Sequence, residues 1–508
     1  MSGRKIGFLL LLLVFGATIE TAWGVRGDLR LGPEGCRVMS GRFYGPSWSF
    51  EQTAERALTG AAARVEISNA FGDVKVVAGA PGVVRAKLRK VVYQPTEEKA
   101  RAFADRIELR LAGDGQALRV GTNRSELERG EQVGFETHLQ IEAPADSVLT
   151  VRNEHGRVDL DGIAAADVAS SFEGVSLERI AGELKVDSRH GDVSLSDVGG
   201  PVVLASRFGG VELRDLRGAA KVDLQHGELK AEQTGALEVR QQYGNVTADG
   251  VAGDLVVRAA HGDLRASDVT GRADLETSFG GVQVERVGGE ARGRVEHGSF
   301  HADDVTGGVD AETSHDGITL ARVGGPVEAH ARFGGVEAHA LARGARLRAE
   351  NGDVELDGFG GAVDVEIHHG NARLRPHAAL AAPLSVEVGN GEASLTVPEG
   401  SRVSLQAQSR RGEVRSELPG LAAPGSEEGE RGRGHRLQAQ LGGGGATVTV
   451  HADGDVTLES QAASTIADQP IARPKARAPE AAAAEARKPA EQPAATPTPA
   501  ERANPTPR

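Results

Sequence analysis

LVVRAAHGDLRASDVTGR (255–272) and the stretch that follows it, ADLETSFGGVQVERVGGE (273–290), decide the fold. Laid one above the other, they share one pattern around a ring-bearing residue, His261 or Phe279. Small or apolar side chains stand six, four and two places before the ring and three, five and eight places after it, with glycine directly behind it. The same phrase opens at His155, Phe172, His190, Phe208, His226, Tyr243, His261, Phe279, His297, His315, Phe333, Asn351 and His369, always 17 or 18 residues apart. The glycine recurs as Gly191, Gly209, Gly227, Gly262, Gly280 and Gly334. A fixed period this short marks stacked repeats. Within each run apolar and charged residues alternate with period two, as in a strand with one buried face. Two such strands and two Gly-rich corners use up the repeat and leave no room for a crossover helix. The chain is therefore read as all-β, a parallel β-solenoid (β-helix) with rungs about 4.8 Å apart. It is expected to be right-handed, with capping elements and a disordered C-terminal tail.

The flanks differ from the repeats. Basic Ser2-Gly-Arg-Lys5, apolar residues 6–19 and the small residues of Ala22-Trp-Gly24 read as a secretory signal over 1–24, too short to span a bilayer. Residues 25–60 form an N-terminal arm carrying Phe43, Tyr44, Trp48 and Phe50, expected to dock on the rod as a strand. Residues 61–154 read as a cap. Phe71-Gly-Asp-Val74 is an early copy of the phrase, 96–107 a helix capped by Thr96, and 107–120 a hairpin across Gly113-Asp-Gly115. The regular rungs span 155–374. Residues 375–459 hold irregular rungs with a longer interval, a polar insertion at 420–435 and the closing cap. The tail, 460–508, holds nine of the chain's 21 prolines, many alanines and a net charge of +2. Such a composition cannot bury enough surface to order itself.

A net charge of -14 argues against nucleic acid, whose phosphates demand a basic face. Cys36 is the single cysteine, so no intramolecular disulfide forms. No segment after the signal is apolar enough to cross a membrane as a helix, which places the chain in the periplasm, on the cell surface or outside. Gly-x-Ser-x-Gly, a phosphate loop and His-Glu-x-x-His are all missing, and the regular rungs carry no long insertion from which to build a cleft. The chain is read as no enzyme, with no cofactor. Seven of its 15 histidines open a phrase. By strand parity these rings point toward the interior at a corner and stack from rung to rung. Histidines two rungs apart lie about 9.6 Å apart, too far to share a zinc whose ligands sit about 2.0–2.1 Å away. Only His297 with His315, or His368 with His369, come closer, and stacking is the preferred reading there too. Asp192, Glu228, Asp263 and Asp353 follow the corner glycine and are read as a solvated outer row rather than a calcium site.

Val65-Glu-Ile-Ser-Asn-Ala-Phe-Gly-Asp-Val74, the helix-and-hairpin block at 95–120 and the series of phrases resemble bacterial putative adhesins grouped as a domain of unknown function. So does the ending: Arg411-Gly-Glu-Val-Arg-Ser-Glu-Leu418, Leu441 with its glycines, then Gly454-Asp-Val456. The resemblance covers roughly 64–459. It departs from the family where His or Phe precedes the glycine in place of Ser, which touches ligands rather than fold. The resemblance implies a β-solenoid, export and no catalytic residues. The expected function is adhesion or surface interaction with a protein or glycan. The alternative is a periplasmic scaffold or spacer that self-associates, and a distant third is a polysaccharide-active β-helix enzyme.

Overall fold

The computed structural model describes residues 46–58, 63–113, 117–129, 133–419 and 436–461. The expected signal, Cys36, Phe43, Tyr44, the 420–435 insertion and the tail from 462 lie outside the described residues.

Each regular rung consists of two strands, as in Leu255–His261 and Leu264–Val269. The first joins one parallel sheet and the second joins another. Rungs stack in step, with Leu255 opposite Ala273 and His261 opposite Phe279 in one sheet, and Leu264 opposite Val282 and Val269 opposite Val287 in the other. Like positions therefore lie on like positions. The inward-facing residues of the two sheets, among them Leu204, Val257, Leu264 and Val287, form one long core of buried aliphatic side chains. At one rung a larger ring enters. Phe300 is completely buried, and the facing Gly293 has no Cβ because one would lie 2.0 Å from the ring.

The two corners are built differently. At the first, the ring residue leads into glycine with left-handed φ, +126° at Gly262. A Cβ there would lie 1.9 Å from the carbonyl oxygen of Gly244, one rung away. The Gly244 N–H in turn donates to the His261 carbonyl at 3.1 Å. The second strand ends in a bulge that the sequence pattern does not announce. Between its last two buried residues lie two exposed ones, as between Leu213 and Leu216. The second of these is left-handed although it carries a side chain: Asp215 (+54°), Asp268 (+54°), Arg286 (+54°), Arg322 (+51°) and Ala340 (+54°). Pairing skips this residue, running from Arg214–Glu232 directly to Leu216–Thr234. The extra residue turns the strand and carries the next apolar side chain back inside.

Both ends are threaded out of sequence order. At the N-terminal end the elements are β1 (Ser47–Ala57), β2 (Arg64–Phe71), β3 (Val74–Gly79), β4 (Val83–Tyr93), α1 (Glu97–Ala104), β5 (Leu109–Gly113), β6 (Ala117–Thr122), β7 (Phe135–Pro144), β8 (Val148–His155) and β9 (Val158–Asp161). β2 pairs with both β6 and β8, and β3 with both β7 and β9, so the first rung lies between two later ones. Antiparallel strands then close the stack: β5 on β6, β4 on β7, and β1 on β4. Trp48 in β1 donates its Nε1 hydrogen to the Gln94 carbonyl at 3.2 Å. The Thr96 hydroxyl accepts from the Lys99 N–H at the start of α1, which buries Ala100, Phe103 and Ala104. At the other end the final rung, Ala446–Ala452 with Val456–Gln461, slots between the rung at 384–398 and the rung at 403–416. Arg436–Leu441 covers that outer rung as an antiparallel strand. Covered edges of this kind keep a stack of strands from recruiting further chains.

Two substitutions involving glycine should act with opposite sign. Gly262→Ala puts a methyl group into a backbone carbonyl at positive φ and should cost at least about 2 kcal/mol. Ala340→Gly relieves a left-handed alanine at an exposed position and should stabilise by about 0.5–1 kcal/mol. Denaturant midpoints of the two variants, measured beside the parent chain, read both effects.

Candidate functional site

The register that stacks the rungs also stacks their rings. Phe71 of β2 lies on His155, and the series continues through Phe172, His190, Phe208, His226, Tyr243, His261, Phe279, His297 and His315. From His155 to His297 neighbouring centroids are 4.6–5.1 Å apart and the planes are within 14° of parallel. The stack ends at Phe333, 5.9 Å from His315 and tilted by 31°. Asn351 brings no ring to the next rung, which leaves His369 outside the stack.

The rings do not point inward. Phe172, Phe208, Tyr243, Phe279 and Phe333 are 43–50% exposed. Parity fails here because the strand has ended. In Leu184–His190 alternation holds through buried Ser188, and then Arg189 and His190 are both exposed. The ring residue already belongs to the turn into glycine, so its side chain swings out. Each ring covers its neighbours' faces and presents its edge to water. Aromatic contacts of this kind contribute about 0.5–1.5 kcal/mol per pair.

Polar residues on both sides fasten the corner beneath the ladder. Two places before the ring, Asn69 donates to the Gly72 carbonyl at 2.7 Å, Asn153 to Gly156 at 2.6 Å, and the Thr313 hydroxyl to Asp316 at 2.6 Å. Two places after it, a side-chain oxygen accepts the backbone N–H of the next rung. Asp192 accepts from Gly210 at 2.8 Å, Asn245 from Asp263 at 2.9 Å, Asp263 from Gly281 at 3.0 Å and Asp353 from Asn371 at 2.7 Å. Asp192, Asp263 and Asp353 are thus rung-to-rung fasteners rather than members of a merely solvated row. The signal was available in the recurrence of Asp or Asn at this one position. His297 and His315 lie plane on plane with centroids 4.1 Å apart, so their in-plane nitrogens run side by side instead of converging on one ion. Among the described residues no group of three or more His, Cys, Asp or Glu side chains could hold a metal.

Residues 225–459, which include the ladder from His226 to Phe333 and the threaded C-terminal end, match a single family model. This part of the chain is similar to the Toastrack DUF4097 family. Solved structures to which the chain is similar include a putative adhesin from Bacteroides fragilis, 13% identical, covering 50% of this chain and 97% of its own, with a TM-score of 0.25. A putative cell adhesion protein from Clostridium sporogenes is 9% identical and covers 82% and 100%, with a TM-score of 0.18. A putative adhesin from Parabacteroides merdae is 10% identical and covers 64% and 95%, with a TM-score of 0.17. No curated protein matches the chain in sequence. Among the described residues no helix is long and apolar enough to cross a membrane.

The rungs of the matched segment also carry a groove of about 960 Å³ along the outer face of the first-strand sheet, lined by Arg292, Asp310, Glu328, Arg346 and Asp364. Its charges are committed to one another: Arg292 to Asp310 at 2.9 Å, and Arg346 to Asp364 at 3.6 Å and to Glu328 at 4.0 Å. In the N-terminal cap, ahead of the Toastrack match, a polar chain joins β4 and β7 to the start of β3. The Tyr93 hydroxyl donates to Glu136 at 2.7 Å, Glu136 meets His138 Nε2 at 3.0 Å, and the Asp73 N–H donates to His138 Nδ1 at 3.1 Å. Burial, and then the Glu136 carboxylate, push the Tyr93 phenol up to about 12. The bond from His138 holds the Glu136 carboxyl below its ordinary value of 4.5.

The cap should therefore loosen at both pH extremes. Tyr93 is held neutral in the fold, so its contribution is complete below the unfolded value of 10 and is lost as pH rises through about 12. Glu136 contributes above the unfolded value of 4.5, and that stability is lost as pH falls through its depressed folded value. In a spectrophotometric titration, Tyr93→Phe should remove the tyrosinate component near pH 12.

Proposed function

We propose that the protein is exported and works without catalysis, as an adhesion-type binding module whose partner is a protein or a glycan. The observation that carries this reading is the ring ladder, a continuous series of half-exposed aromatic edges along one corner of the solenoid. Soluble proteins rarely leave a contiguous row of large rings in water unless something covers it. The residues beneath the ladder hold backbone rather than substrate. They keep the row straight by tying one rung to the next. Aromatic side chains ordered in advance lose little entropy on binding, which suits a contact surface. A long repetitive face also offers many weak contacts in series, and linked contacts raise avidity beyond that of any single one.

An epitope appended at Arg508 and exposed to protease on intact cells tests the reading. Loss of the epitope is the expected result and fits a surface-displayed binder. Protection until the outer membrane is opened would overturn adhesion and favour the periplasmic scaffold.

A further inference from the structure

The middle of the ladder differs from its two ends in charge. From the rung of His226 to that of Phe279, each ring with its two neighbours reads Gln225-His226-Gly227, Gln242-Tyr243-Gly244, Ala260-His261-Gly262 and Ser278-Phe279-Gly280. None of these twelve residues carries a formal charge at pH 7, in a chain that is 26% charged. Charges bound the strip on every side. Asp223, Arg240, Arg258 and Glu276 stand three places before the rings, and Glu228 and Asp263 two places after. Arg189 and Arg207 precede the rings on the rungs below, and Glu296 precedes the ring on the rung above. The strip is therefore a bounded neutral surface four rungs long.

It is polar nonetheless. Gln225 and Gln242 are exposed, and the Tyr243 hydroxyl and the imidazole nitrogens of His226 and His261 have no hydrogen-bond partner in the protein among the described residues. A charged partner would surrender its hydration here and meet no opposite charge within the strip itself, while the charges at its border are of both signs. A purely apolar partner would strand these amides, imidazoles and the hydroxyl. A neutral partner rich in hydroxyl groups satisfies both conditions.

The geometry narrows its form. Neighbouring rings from His226 to Phe279 are 4.8–4.9 Å apart and within 12° of parallel, so like groups recur in a straight line. Imidazole recurs at every second rung, about 10 Å apart. A partner that uses the whole strip is a straight polymer with the same two-step repeat. In an extended β-linked polysaccharide each sugar advances by about one rung, and successive sugars are flipped, so the chain repeats every second sugar. Helical α-linked glucans curl away from such a line. The faces of the rings are occupied by one another, so the sugars meet ring edges and bond through hydroxyls to imidazole, phenol and amide groups.

We infer that this strip binds a neutral, extended β-linked polysaccharide lengthwise, one sugar per rung. The inference rests on the ladder being the adhesive surface. It is tested by titrating the full chain with β-(1→4)-linked gluco-, xylo- and N-acetylglucosamine oligosaccharides of two to six sugars, beside maltohexaose as the α-linked control. Affinity should climb with length up to about four sugars for at least one β-linked series and be absent for maltohexaose. The double variant Gln225→Glu/Gln242→Glu leaves every stacked ring in place and should bind at least tenfold more weakly, with its melting temperature unchanged. Absence of binding to every β-linked series overturns the inference. So does binding that the double variant retains at full strength. Beads coated with the chain separate the two levels of failure. If they adhere to cells while the oligosaccharides fail, only the choice of ligand falls, whereas if they do not adhere, the adhesion reading falls with it.

Discussion

Everything in the solenoid depends on how closely two rungs approach at the first corner. The carbonyl of Gly244 occupies the space in which a side chain on Gly262 would begin, and the Gly244 N–H reaches the carbonyl of His261. Once the glycines are in contact, the neighbouring positions have no freedom of register. Rings must lie on rings, an Asp oxygen on the next rung's N–H, and the left-handed residue of one bulge above that of the last. A slip by one residue would turn every core side chain to solvent.

Much of this was legible in the sequence because the constraint repeats. The spacing of ring and glycine revealed the rungs, and the alternation of Leu255, Val257 and Ala259 revealed the buried face. Phe71-Gly-Asp-Val74 was recognisable as a rung before the regular series begins, and Thr96 announced its helix. Three features were not legible, for different physical reasons. The direction of the rings was misread because parity holds only inside a strand, and His190 already lies in the turn. The bulge was hidden because Asp215, Arg286 and Ala340 adopt a backbone conformation that glycine usually marks. The pairing order at the ends was hidden because Gly454-Asp-Val456 reads as one more rung, while the strands beside it are chosen by non-local hydrogen bonds.

The same comparison separates scaffold from surface. Side chains that answer to the stacking constraint recur by type: glycine behind the ring on most rungs, and small or apolar residues inside. Where the constraint demands bulk it is balanced locally, as Gly293 balances Phe300. The residue just before each ring answers to no such rule. It changes from Arg to Gln, Ala, Ser and Glu along the ladder. That freedom lets one backbone carry a neutral stretch bordered by charge, and binding character can vary there at little cost to the fold.

The threading of the final rung bears on how the molecule carries load. Where a solenoid simply ends, a pull on its last strand peels hydrogen bonds from one side, one after another. Here the last described strand, Val456–Gln461, is bonded to Ala393–Pro398 on one side and to Val414–Ser416 on the other. Tension arriving through the chain beyond Gln461 is therefore shared by two rows of bonds, and the outer rung must be displaced before the strand is free. The attachment point resists in the manner of a splice rather than a zip.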